Sequence, residues 1–135
     1  MDIQLTTNEF RHLLDLVYIG NWILNSTRGN DRFEPYDLVQ EKVFALASQN
    51  GLPELSQTYL GRVFPSRAYE EGGIHDAIAD YEDAVFFDIL AEELARRDMT
   101  EEHINPNDMT ELTARMDSYM SEFEANGIEN ISLNS

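Results

Sequence analysis

Apolar residues at Ile74, Ile78, Tyr81, Val85 and Ile89 step by four, three, four and four, the spacing that holds side chains on one side of a helix. Asp76, Asp80 and Asp83 stand at i, i+4 and i+7 on roughly the opposite side, so the first half of this stretch is two-faced. From Val85 onward, Phe86, Phe87, Leu90, Ala91 and Leu94 add apolar surface at nearly every angle. A helix apolar all round is normally buried. The spacing therefore predicts a helix over residues 74–97 whose C-terminal half passes between neighbours while its N-terminal half turns three carboxylates outward.

The remaining pattern is also helical. Thr6 and Glu9 form a capping box that opens a first helix. Its apolar stripe is Phe10, Leu13, Leu14, Val17 and Leu24, widened by Leu16 and Ile23. Gly20 beside that stripe predicts a close helix approach, and Asn21 a hydrogen bond within the core. Tyr18 and Trp22 fall on the other side with Arg11 and Asp15, either covered by a later segment or open to a partner. A second helix, Pro35 to Gln49, turns Leu38, Val39, Val43, Phe44, Leu46 and Ala47 inward and ends at Asn50-Gly51. ELSQTYLGRVF, stopped before Pro65, reads as a third, shorter helix with Leu52, Leu55, Tyr59 and Val63 facing the core. After the connector 65–73 and the long helix, a last helix presents Met109, Leu112, Met116, Tyr119 and Phe123 on one stripe and stops at Asn126-Gly127. No strand is expected. The fold class that follows is all-α: a single domain over residues 1–127, an orthogonal or bundle-like array of about five helices around the central buried helix, with residues 128–135 as a tail, docked through Ile128, Ile131 and Leu133 or mobile.

Composition adds a constraint on partners. The 135 residues carry 26 acids against 9 bases, a formal charge of −17, and only Lys42 among the bases is a lysine. Residues 1–67 are nearly balanced, with 8 acids and 6 bases; residues 68–135 hold 18 acids and 3 bases. Direct binding to a phosphate backbone needs Lys and Arg and is not expected. Low lysine with high acid content also suits a salt-adapted organism. Cysteine is absent, so there is no disulfide framework or thiolate site. MDIQLTTNEF lacks a signal-like apolar run and no stretch is long enough for a membrane span, so the expected location is cytoplasmic.

Candidate chemistry is sparse. No segment has the spaced oxygen ligands of an EF-hand, there is no Gly-x-Ser-x-Gly turn, and no phosphate-binding glycine loop appears. Glu9-x-x-His12 is one Glu-x-x-His pair where a di-iron bundle needs two. The order His12, His75-Asp76, Asp117 resembles the H…HD…D ligand order of the HD-type metal phosphohydrolases. That resemblance implies a divalent metal on those four residues activating water against a phosphoester. No cofactor is otherwise expected.

The leading expectation is a small acidic, non-enzymatic interaction or regulatory protein that presents a carboxylate-rich helical surface to a basic protein partner. Asp76, Asp80 and Asp83, with Tyr18 and Trp22, are the candidate contact residues, and Arg62 or Arg67 the candidate internal counter-charges to the aspartates. A sharper version is mimicry of nucleic acid, carboxylates along a helix entering a partner's basic cleft. The alternative is the metal-dependent phosphohydrolase. A homodimer through the Tyr18–Trp22 patch or the last helix is a third reading.

Overall fold

The first helix starts where the capping box places it: the Thr6 hydroxyl accepts from the Glu9 amide at 3.1 Å, and the Glu9 carboxylate accepts from the Thr6 amide at 2.9 Å. In this computed structural model, which describes residues 1–133, it is followed by three more long helices and one small sheet. The elements are α1 (Thr7–Asn25), α2 (Glu34–Ala45), β1 (Ser56–Tyr59), β2 (Arg62–Pro65), the single turn α3 (Arg67–Tyr69), α4 (His75–Glu101) and α5 (Met109–Asn126). Helix dominates, and among the described residues no helix is long and apolar enough to cross a membrane. The chain forms two compact units, Met1–Ile78 and Ala79 onward; α4 gives its first turn to one and the rest to the other.

In the first unit, the buried face of α1 is Phe10, Leu14, Tyr18, Asn21 and Asn25, whereas Leu16 and Ile23 are exposed. The face is rotated from the predicted stripe, because two asparagines supply part of it. Asn25 is fully buried and its amide is used completely: Nδ2 donates to Asn21 Oδ1 (2.7 Å) and to the Phe33 carbonyl (3.1 Å), and Oδ1 accepts from the Phe33 amide (2.7 Å). Asn21 Nδ2 donates to Asp37 Oδ1 at 3.0 Å. This clamp ties the end of α1 to the start of α2. Gly20 is not a close-approach site, since a Cβ there would meet nothing within 4 Å. From α2 and its following turn, Phe44 and Ala47 reach the core with Leu55, Tyr69, Ile74 and Ile78. Leu38, Val39 and Leu46, expected inside, are exposed.

The predicted third helix is instead an antiparallel hairpin, with Tyr59 opposite Arg62 and Gln57 opposite Phe64. Its two-residue turn, Leu60-Gly61, has φ of 49° and 77°, the positive values a type I′ hairpin turn requires. Proline, glycine and the β-branched Thr58 and Val63 favour this over a helix that would hold Gly61 in its interior. Beyond β2, the Ser66 hydroxyl accepts from the Tyr69 amide at 3.1 Å and so caps α3. Tyr69 is fully buried, and a wide turn with Gly73 at φ 115° leads into α4.

In the second unit, α4 and α5 bury Ala91, Ala95, Met99, Leu112 and Phe123. The Asp108 side chain caps α5 by accepting from the Glu111 amide. Arg96 Nη1 donates to the Pro106 carbonyl at 2.6 Å, and Arg115 bonds both Glu102 and Glu111. The expectation that the C-terminal half of this helix is buried on all sides holds only in part: Ala91, Ala95 and Met99 are fully buried, but Phe86 is 50% and Ile89 58% exposed, and in the N-terminal half Tyr81, expected to face the core, is 59% exposed. The physical reason is that α5 takes up only one side of α4, the side of Phe87, Ala91 and Ala95. Met109, expected in the stripe of the last helix, is also exposed, as are Ile128, Ile131 and Leu133 of the tail. The last two residues of that predicted tail, 134–135, lie outside the described residues.

Two stability changes follow. Replacing Asn25 by Ala leaves the Phe33 amide without its acceptor and Asn21 Oδ1 without its donor, and is expected to lower unfolding free energy by about 2 to 3 kcal/mol in urea titrations. Leu60→Asn relieves a leucine held in the left-handed region on an exposed turn, and is expected to raise it by about 1 kcal/mol.

Candidate partner-binding surface

Along α4 only Glu92 and Asp98 have ion-pair partners among the described residues, and several acids elsewhere, such as Glu34, Glu70, Asp117 and Glu124, are unpaired as well. Asp76, Asp80, Glu82, Asp83, Asp88 and Glu93 are exposed, and among the described residues none of them makes an ion pair or side-chain hydrogen bond. All eight arginines are committed to other acids. Arg11 holds Asp15, Arg28 holds Asp31, Arg32 holds Asp37, Arg96 holds Glu92, Arg97 holds Asp98 and Arg115 holds Glu102 and Glu111. The two expected counter-charges are also taken: Arg62 grips Glu41 through Nε and Nη2, and Arg67 holds Glu71 at 2.7 Å. Hydrogen bonds from Arg62, and then from the Val63 amide, hold the Glu41 carboxyl below its ordinary range.

The Tyr18–Trp22 pair sits in a different setting. Tyr18 is 6% exposed and part of the first unit's core, while Trp22 is 36% exposed. The Tyr18 hydroxyl and His75 Nε2 share a hydrogen bond of 2.7 Å, and the indole of Trp22 lies edge-on to the His75 ring at 4.8 Å. Tyr18 stacks on Trp22 and meets the edge of Tyr69 at 5.2 Å. His75 thus closes an aromatic cluster at the start of α4. Beside it a cavity of about 270 Å³ is lined by Tyr18, Asn21, Trp22, Ser26, Arg32 and Gln40. Burial, followed by the charge of Glu70, pushes the Tyr18 phenol up to about 12 from its usual 10. Tyr69 is raised further by burial, then by donating its hydroxyl to Asp15.

The four residues that resemble HD-type ligands each have a setting of their own. His12 is exposed on α1, His75 bonds Tyr18, Asp76 faces solvent and Asp117 lies exposed on α5 in the second unit. Among the described residues no three His, Asp or Glu side chains form a group that would hold a metal ion. Comparison with protein-family models, with curated proteins and with solved structures finds no match to this chain.

Two apolar surfaces were missed in the sequence because their residues counted as core. One is on α4, at Tyr81, Phe86 and Ile89. The other is a groove of about 220 Å³ between α1 and α2, lined by Leu16, Val17, Gly20, Leu24, Tyr36 and Val39. Only a count of how many apolar positions the neighbours could cover would have revealed them.

The raised phenols have a consequence at high pH. An unfolded tyrosine ionises near 10, whereas folded Tyr18 does so near 12, so the folded state keeps a proton the unfolded state loses. The contribution is fully present below pH 10 and is lost as pH rises from there through about 12. Urea midpoints of the wild type are expected to fall across this window, and Tyr18→Phe to fall less steeply.

Proposed function

We propose that this protein acts by binding, not by catalysis: it presents the carboxylate-rich surface of α4 to a basic protein partner. One observation carries the reading. Every arginine is paired within the chain while seven carboxylates along α4, the six above and Glu101, have no ion-pair partner among the described residues. Like charges three and four residues apart on a helix repel by a few tenths of a kcal/mol per pair. A cationic partner relieves that repulsion, and its approach is accelerated by the field of the acidic half.

The same arrangement sets the expected behaviour. Exposed charges interact over roughly 10 Å at 0.1 M salt and much less at higher ionic strength. Binding should therefore be lost in concentrated salt. The test is affinity capture with the wild type and with an Asp76→Asn, Asp80→Asn, Asp83→Asn variant, at low salt and at about 0.5 M. The expected outcome is a basic protein held by the wild type at low salt, released at high salt, and held more weakly by the variant. An identical captured set for both proteins, unchanged by salt, overturns the reading.

A further inference from the structure

The middle of α4 carries more than charge. Tyr81, Val85 and Ile89 follow one another at i, i+4 and i+8, with Phe86 beside them. Tyr81, Phe86 and Ile89 are each half exposed or more. In the second unit α5 packs on the other side of α4, where Phe87 meets Phe123 at 5.4 Å and Ala95 and Met99 meet Leu112. The apolar strip therefore has no covering element within its own unit. Carboxylates rim it: Glu82 stands four residues before Phe86, Glu93 four after Ile89, and Asp88 seven after Tyr81.

We propose that this strip docks a basic amphipathic helix of a partner protein, whose apolar ridge lies on Tyr81, Val85, Phe86 and Ile89 and whose cations meet Glu82, Asp88 and Glu93. The inference rests on the binding function proposed above and adds to it the form of the partner. A straight strip of residues at i, i+4 and i+8 on one helix is the surface into which the ridge of another helix packs. Eight residues of rise span about 12 Å, matching two to three turns of such a helix. Charge decides the occupant. A second copy of this chain would bring Glu82, Asp88 and Glu93 against their own duplicates, and its arginines are all engaged in its own ion pairs. A cationic amphipathic helix satisfies both the apolar ridge and the rim.

The test uses two fluorescein-labelled peptides of about 18 residues and identical composition. In one, leucines and lysines are spaced to form an amphipathic helix; in the other the same residues are permuted to destroy the periodicity. Each is titrated by anisotropy against the full chain, against a Tyr81→Ser, Ile89→Ser variant, and against the Asp76→Asn, Asp80→Asn, Asp83→Asn variant. Both replaced apolar residues are more than half exposed, so circular dichroism should show unchanged helicity. The expected result is that the wild type binds the periodic peptide about tenfold more tightly than the permuted one, and that the serine variant removes this difference. A Glu82→Gln, Asp88→Asn, Glu93→Gln variant, near-isosteric with the wild type, should weaken the periodic peptide to a similar degree. Equal affinity for the two peptides, or periodic-peptide binding that survives the serine substitutions, overturns the docking strip. The broader charge reading survives that result if both peptides still bind the wild type more tightly than the triple-Asn variant, and fails if neither peptide binds at low salt. A wild-type dimer in sedimentation that the serine substitutions dissociate would make a second copy the occupant and overturn the proposal.

Discussion

Tyr69 is the side chain on which the arrangement of the first unit depends. It is fully buried, it meets Phe44 at 5.0 Å and Tyr18 at 5.2 Å, and the Arg11 guanidinium lies 5.1 Å from its ring centre. A buried phenol must find an acceptor, and here Asp15 accepts at 2.8 Å while also accepting from Arg11 at 2.7 Å. One residue thereby joins α1, α2 and the segment beyond the hairpin. Because Tyr69 sits six residues before His75, fixing it also fixes where α4 begins. His75 can then reach Tyr18.

The partition of charge follows from where the arginines are needed. Arg32 and Asp37 brace the asparagine clamp, Arg62 and Glu41 hold β2 against α2, and Arg96 ties α4 to the loop before α5. Each of these pairs closes a local junction. The middle of α4 has no junction to close, and no cation is sent there. What is left is a run of carboxylates whose mutual repulsion the fold absorbs, since a few tenths of a kcal/mol per pair is small beside a typical unfolding free energy of roughly 5 to 15 kcal/mol.

How much of this was legible in the sequence depended on whether the signal was local. The capping box at Thr6, the start of α4 and the end of α5 were readable, because each is set by residues within one helical turn; the C-terminal end of α4, read as 97, lies a turn further on at Glu101. The hairpin was not. Its first strand is almost wholly exposed, so no apolar alternation marks it, and its turn is Leu60-Gly61 where an Asn-Gly would have announced itself. The face of α1 was misread for a related reason. Counting apolar residues favours Leu13, Val17 and Leu24; Asn21 was expected to hydrogen-bond in the core and does, but the burial of Asn25 was not legible, because it is Phe33, eight residues on, that satisfies it. At the candidate surface the three aspartates could be seen as a ladder. That they are unpaired could not, because it turns on contacts such as Arg62 with Glu41 across 21 positions. The same holds for His75, which meets Tyr18 across 57 positions.

Salt adaptation offers a competing origin for the acidity, and the distribution of charge separates the two. Habitat acts on the whole surface of a protein, so an adapted chain should be acidic in both halves. Here residues 1–67 hold 8 acids and 6 bases, whereas residues 68–135 hold 18 and 3. Within the acidic half, five unpaired carboxylates, Asp80, Glu82, Asp83, Asp88 and Glu93, lie on the part of α4 that also exposes Tyr81, Phe86 and Ile89. Solubility in brine would be served by polar residues at those three positions, and apolar side chains there work against it. Charge for solubility and apolar surface for contact are opposed demands on one helix. The role proposed for α4, in which the charge keeps copies apart and the apolar strip meets a cationic partner, would satisfy both.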